Sequence, residues 1–377
     1  MLKQLGLLII LLGTSLVSFT GQLVSGDPES HFGLIEYFSH DETMTLDQAM
    51  SVEDKDWQQT HIDDASFGFD PDHYWFRIEL QNLYASNSPW FFRSDYPLLD
   101  TLDVFLFSDD RLIQEFHTGD QGTFAQRPMP HPGFVFPLTI NNEKKHTLYI
   151  HIQTSSSLQL SLSLLPESSF WQKVAIENSS SAAFYAVLIS MIFYNAVIFL
   201  IVRERSYLYY VLYLSSFTLF MASIHGWAYQ FIWPNSPQTH QLSVVFLIGI
   251  TICFAALFTS HFLRLQEIRP DLNKLVKVLA ATGILSSIAS ILFPYDIMIR
   301  INAALAIIAA AIAMFATIQE WLRSRSREVM MFIIAWSTLL IGFLLYSGQK
   351  FGLLPINPFT EHAIEIGAIL EALLLAL

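Results

Sequence analysis

The sequence predicts two dissimilar units in series: an all-β domain of jelly-roll or sandwich type outside the membrane, then an all-α bundle of seven transmembrane helices. Three observations lead there. Residues 74–165 alternate apolar and polar side chains with period two. From residue 183 onward, apolar segments of about 20 residues follow one another, each long enough to cross a bilayer. Charge divides between the same two halves: residues 27–180 carry 24 Asp and Glu against 8 Lys and Arg, whereas residues 181–377 carry 9 against 11. With 53% hydrophobic and 14% charged residues over 377 positions, the whole is too apolar for one soluble protein.

The N-terminus reads MLKQLGLLIILLGTSLVSFTGQLVSGDPES. Lys3, an apolar run from Leu5 to Val17 and the small residues around Val24-Ser25-Gly26 predict a secretory signal peptide over residues 1–26. An uncleaved signal anchor is the alternative. No cysteine stands there, which excludes a lipoprotein anchor. The only cysteine, Cys253, lies in an apolar run, so neither a disulfide framework nor a CxxC metal or redox motif exists. No metal or cofactor is expected. The acidity of residues 27–180 argues against a nucleic-acid partner, since phosphate binding needs a basic surface.

Residues 27–180 are expected to form the extracytoplasmic domain. In YWFRIELQN, Phe76, Ile78 and Leu80 share one face while Trp75, Arg77 and Glu79 share the other. LDVFLF and RLIQEFH flank Ser108-Asp109-Asp110 and predict a hairpin. TLYIHIQ sets Leu148, Ile150 and Ile152 against Tyr149, His151 and Gln153. In LQLSLSLL, four leucines at 158, 160, 162 and 164 point one way. TLDQAM alone suggests a helix. The outward sets hold aromatic rings and planar polar groups suited to a sugar-like ligand. Trp75, Arg77, Trp90, Tyr96, Arg127 and His131 are the candidate binding residues; taken singly, each also fits an ordinary surface or edge position.

Residues 181–377 predict seven spans: Ala183–Val202, Tyr207–Trp227, Leu242–Leu263, Leu275–Phe293, Ile297–Ile318, Val329–Tyr346 and Phe359–Leu377. One set of loops and flanks holds nine basic residues (Arg203, Arg205, Arg264, Arg269, Lys274, Lys277, Arg323, Arg325, Arg327) and the other holds only Arg300 and Lys350. The basic set belongs in the cytoplasm, leaving the β-domain outside and the C-terminus inside, in agreement with a signal peptide. Candidates among the polar residues within the spans are Asn195, His225, His261, Glu365 and Glu371. An ionisable group there is a functional candidate, so Glu365 and Glu371 are the candidate signalling residues. A neutral, hydrogen-bonded carboxyl between helices is the other reading of Glu371. Ala368, Ala372 and Ala376, like the alanines of residues 303–316, suit close helix packing.

These features, in this order, resemble the bacterial seven-transmembrane receptors with diverse intracellular signalling modules, and the β-domain resembles that family's second type of extracellular domain. The likeness rests on YWFRIELQN, YPLLDTLDVFLF, RPMPHPGFVFPL and HTLYIHIQTSSSLQLSL in the first half. In the second it rests on FYNAVIFLIVRERSYLYYVLYL, GWAYQFIWP and EIGAILEALLLAL. It implies a jelly-roll ectodomain like a carbohydrate-binding module. It also implies a cytosolic output module, such as a histidine kinase, diguanylate cyclase or phosphatase, reached in cis after Leu377 or in trans through a separate partner.

The expectation is therefore a sensory receptor in a bacterial inner membrane, working as a homodimer and taking a small, saccharide-like ligand. A small-solute transporter with an accessory binding domain is the alternative. Catalysis within this chain is not expected, because no nucleophile–base pair, metal cluster or phosphate loop appears at recognisable spacing. A retinal pigment, which needs a lysine buried in mid-span, is not expected: Lys277, two residues inside the Leu275–Phe293 segment, is the only lysine within a span.

Overall fold

The computed structural model describes residues 32–60, 66–80, 89–140, 144–350, 353–354 and 358–375; the signal peptide expected over residues 1–26 lies outside them. Strands β1 (Phe32–His40), β2 (Gln58–Thr60), β4 (His73–Leu80), β6 (Thr101–Ser108), β7 (Arg111–Thr118) and β9 (His146–Gln153) form an antiparallel sheet in the order β2-β1-β4-β9-β6-β7. Strands β5 (Trp90–Ser94), β8 (Phe134–Leu138) and β11 (Leu162–Pro166) form a second in the order β11-β5-β8, and β3 (Ser66–Gly68) pairs with β10 (Leu158–Gln159). Period-two alternation builds the sandwich. Phe76, Ile78, Val104, Leu106, Leu148 and Ile150 of the large sheet meet Trp90, Phe92, Phe136 and Leu164 of the facing strands in one core. The predicted hairpin is β6–β7, and its two turn residues, Asp109 (φ 46) and Asp110 (φ 61), both take the left-handed conformation that a two-residue turn requires.

Two β-domain expectations change. The other face of the large sheet is not open, because helix α1 (Leu46–Met50) and Trp57 cover it and bury Trp75 with Phe38, Phe105 and Phe107. A capping box between Thr45 and Gln48 fixes the start of α1. LQLSLSLL is not one strand either: Leu158 pairs with Gly68 of β3, whereas Leu162 pairs with Ser94 of β5. All four leucines still enter the same core. Alternation is preserved across the crossover, so the pattern alone cannot reveal it.

The helices are α2 (Glu167–Val202), α3 (Arg205–Ile224), the short α4 (Trp227–Phe231), α5 (Pro237–Phe262), the short α6 (Leu265–Ile268), α7 (Pro270–Leu292), α8 (Tyr295–Ser324), α9 (Arg327–Lys350), the short α10 (Pro358–Glu361) and α11 (Ala363–Leu375). Six of them, α2, α3, α5, α7, α8 and α9, are long and apolar enough to span a membrane; α11 supplies 13 described residues of the seventh. Helix α2 begins as soon as β11 ends, so residue 181, where the composition changes, falls inside it. The apolar run marks the part of α2 suited to lipid; its first turns pack on protein. Glycines sit at close approaches between helices. A Cβ on Gly249 of α5 would sit 2.6 Å from Gly283 O of α7, and one on Gly367 of α11 would sit 2.6 Å from Thr338 O of α9.

Candidate functional site

The six ectodomain residues singled out by sequence do not share one face. Trp75 lies in the outer cluster under α1 and is 2% exposed. Beside it, Arg77 is half-buried, stacks over Trp57 at 4.7 Å, and pairs with Glu36 (2.6 Å) and Asp54 (2.9 Å). Trp90 points the other way, into the core between the sheets. Tyr96 is buried at the membrane-facing end, its hydroxyl 3.0 Å from Ser156 Oγ. Alternation along one strand separates its two faces correctly, but it cannot say which strands bring which faces together.

Arg127 and His131 belong to the seam with the helices. Arg127 sits at the end of a 3-10 turn (Phe124–Gln126) and is 6% exposed. Its guanidinium donates to the carbonyl oxygens of His131 (3.1 Å), Pro132, Gly133 (3.1 Å) and Pro97 (3.4 Å). It also lies over the rings of Phe134 at 4.3 Å and Tyr229 at 5.6 Å. Burial lowers its pKa to about 10, opposed by the nearby Asp120 carboxylate. Those donors are thus turned toward the chain's own carbonyls rather than toward solvent. His131 accepts from Gly133 N–H at 3.0 Å, and burial, reinforced by Arg93, lowers its pKa to about 4.

Around Arg127 the segment from Gly226 to Pro234 docks on the ectodomain. Tyr229 Oη–H donates to Gly122 O, Phe124 N–H donates to Pro234 O at 2.9 Å, and Gln230 Nε2 donates to Pro130 O at 3.4 Å. Gly226 permits the approach: its φ is +78, and a Cβ there would stand 2.7 Å from Pro132 O. Gln241 of α5 reaches Asp120 at 3.3 Å. Burial, then the neighbouring Asp100, holds the Asp120 carboxyl well above its ordinary pKa.

A second seam joins the three-stranded sheet to the first turns of α2. Phe91, Val135 and Leu165 pack on Phe170 and Val174. Among them Arg93, 4% exposed, pairs with Asp95 and, at 2.5 Å, with Glu177; Lys173 stands 3.5 Å from Asp95. Although burial opposes it, the charges of Arg93 and Lys173 keep Asp95 below its ordinary pKa. Sequence reading missed this quartet, since Arg93 and Asp95 at the end of β5 lie far along the chain from Lys173 and Glu177 on α2. The only available signal was Arg93 among apolar strand residues.

On the outer face beside Trp75, a chain of polar contacts crosses β4, β9, β6 and β7. His73 Nδ1 lies 3.0 Å from His151 Nε2, His151 Nδ1 lies 2.9 Å from Asp103, and His117 Nδ1 lies 2.8 Å from the same carboxylate. Burial, then His151, lowers the pKa of His73. Against the burial penalty, hydrogen bonds from His151 and His117 hold Asp103 below its ordinary value.

Within the helical bundle, Glu365 is held by His225 (3.3 Å) and His362 (3.1 Å), while His225 also meets the Tyr185 hydroxyl at 3.1 Å. This ties α2, the end of α3 and α11 together. Glu371 is 1% exposed beside Tyr210 and Tyr213, and neither of its carboxyl oxygens has a hydrogen-bond partner among the described residues. Asn195 Nδ2 donates back to Met191 O at 2.8 Å, and His261 packs on Tyr209 with ring centroids 4.8 Å apart. Among the described residues no group of three or more His, Cys, Asp and Glu is placed to hold a metal ion.

Compared with known protein families, residues 177–377 match the model described as 7TM diverse intracellular signalling. Residues 35–166 match the model described as 7TMR-DISM extracellular 2. The first match alone covers more than half of the chain. No curated protein matches it.

Proposed function

The chain belongs to the seven-transmembrane receptors with diverse intracellular signalling, and from that premise we propose how this sensory receptor works. A small, oxygen-rich ligand of saccharide type binds the ectodomain outside the membrane. The resulting shift passes through the two seams into the helices and on to an intracellular module, in cis or in trans, with the receptor working as a homodimer in a bacterial inner membrane. The reading divides the candidate residues. Arg77, half-buried beside the His73–His151–Asp103 chain, supplies planar hydrogen bonding at the margin of the outer sheet face, with the buried Trp75 packed behind it. Trp90, Tyr96, Arg127 and His131 hold the framework through which the shift travels.

The observation that supports it best is the charge quartet between sheet and α2. Arg93 is buried, Asp95, Lys173 and Glu177 are partly buried, and the four are linked at short range, so a change in strand position is passed to α2 through these contacts. A ligand shifts such an equilibrium only by its differential affinity for the two arrangements.

Hydrogen exchange on the full chain in lipid nanodiscs tests the proposal, with a panel of mono- and oligosaccharides. A binding sugar should protect β4 and β9 and alter exchange in the first turns of α2. In Glu177→Gln the strand protection should remain while the α2 response weakens. Binding with no change in α2, or no binding by any member of the panel, would count against it.

A further inference from the structure

A cavity of about 220 Å³ lies within the helical bundle, closed at its outer end by Tyr96 and neighbouring ectodomain residues. Its lining on α5 runs from Val244 to Ala256, which is about 18 Å of helix at 1.5 Å per residue. The space is therefore narrow and lies along the helices. Ala303, Ala306 and Ala310 of α8 line it at intervals of three and four residues, on one face of that helix. Their small side chains leave it unfilled. Ile301, Ile308 and Phe315 recur every seventh residue and are exposed on the opposite face of the same turns. One helix thus stands between the cavity and the surrounding lipid.

Phe217, Ile248, Leu279 and Leu339 are typical of the wall. Polar side chains that border it are engaged elsewhere. At the outer end, Tyr96 Oη lies 3.0 Å from Ser156 Oγ, and Ser156 Oγ–H donates to Leu98 O at 2.9 Å. Deeper in, Thr251 Oγ1–H donates to Ser216 Oγ at 3.2 Å. Water is a poor occupant, because apolar walls offer it too few hydrogen bonds. An empty void forfeits dispersion contacts along its whole lining. A compact ring would restore those contacts over only part of so long a space, whereas an unbranched hydrocarbon chain restores them along its length.

We propose that this cavity takes one acyl chain of a bilayer lipid, lying lengthwise along α8. The outward face of α8 meets such chains at the same depth, and a chain is the part of a lipid that needs no polar partner. Its carbons occupy the space that larger side chains at Ala303, Ala306 and Ala310 would fill. The chain touches the helices and the ectodomain roof at once. Bilayers of different acyl length then fill the space to different extents, which gives the receptor a second input. This site is separate from any sugar site on the outer sheet, so either proposal can fail alone.

Photolabelling of the full chain in lipid nanodiscs tests it, with phosphatidylcholine carrying a diazirine in one acyl chain and mass spectrometry to place the adducts. Wild type should be labelled at Ala306 and Ala310 as well as at the outward Ile301, Ile308 and Phe315. Excess n-decane should remove the inward adducts and leave the outward ones, whereas the compact decalin should remove neither. Ala310→Phe, and the milder Ala306→Leu, should lose the inward adducts while keeping the outward ones, which also report that α8 is still inserted. Adducts confined to the outward residues in wild type would overturn the proposal. So would inward adducts that survive both substitutions. Inward labelling by a diazirine-bearing decane but not by the lipid would assign the cavity to a free hydrocarbon and overturn the lipid assignment.

Discussion

Arg127 shows how far a residue's role depends on what stands opposite it. Between a loop and the strand GFVFPL, an arginine reads as a bidentate binder of oxygen-rich ligands. In the structure its donors meet four carbonyl oxygens of its own domain. Arg127→Ala should therefore destabilise the unliganded chain by about 3 kcal/mol, because buried carbonyls lose a charged donor. A thermal melt of the full chain checks this; an unchanged melt would return Arg127 to the ligand face. Asp120 gives the pH signature. Its folded pKa is raised above the ordinary 3.8 by burial and by Asp100. The unfolded chain therefore loses that proton first as pH rises, and the stability Asp120 contributes at acid pH is lost on the way up. Asp120→Asn should melt higher than wild type at neutral pH, with the gap closing as pH falls toward 3.8. A gap that stays constant with pH would refute the assignment.

Elements couple at this protein's seams through close backbone approach as much as through charge. Gly226 ends the turn after α3 with φ +78 and lies against Pro132. A side chain there faces both left-handed strain, about 1–2 kcal/mol, and a clash with the Pro132 carbonyl. Gly226→Val should lift the segment from Gly226 to Pro234 off the Arg127 loop. Limited proteolysis on the full chain should then cut between residues 119 and 133, where wild type resists. Equal resistance would show that the Tyr229 and Pro234 contacts hold the seam without the glycine. Helix α2 illustrates the same principle differently, since its first turns carry Phe170 and Val174 onto the sheet while later turns expose Phe193, Val197 and Leu200. One helix thus serves a protein interface and a lipid-facing surface in turn.

For the whole molecule, alternation of the helices puts the turns after α2, α5 and α8 at one end and those after α3 and α7 at the other, beside the ectodomain. The first set carries Arg203, Arg205, Arg264, Arg269, Arg323, Arg325 and Arg327. Arg300 lies 5.6 Å from the ring of Phe69, on the ectodomain side. The basic turns should therefore face the cytoplasm. Single cysteines placed at Ser324 and Asp296 in a Cys253→Ser background test this on intact cells with an impermeant thiol reagent. Asp296→Cys should label and Ser324→Cys should not; the reverse pattern would invert the topology.

The sequence by itself determined the division into two units, the strand alternation, the β6–β7 hairpin and the order of the helices. Each is a local or periodic property, because apolar residues must leave water on one face of a strand and all around a membrane helix. Candidate residues were legible only as types. Only the tertiary structure decided what those surroundings are. It turned Arg127 inward onto carbonyls, paired Arg93 with Glu177 across 84 positions, covered Trp75 with α1, and left a void along the alanines of α8. Each of these outcomes depends on which distant element stands opposite a side chain, and the period of a strand or helix fixes only the direction in which that side chain points.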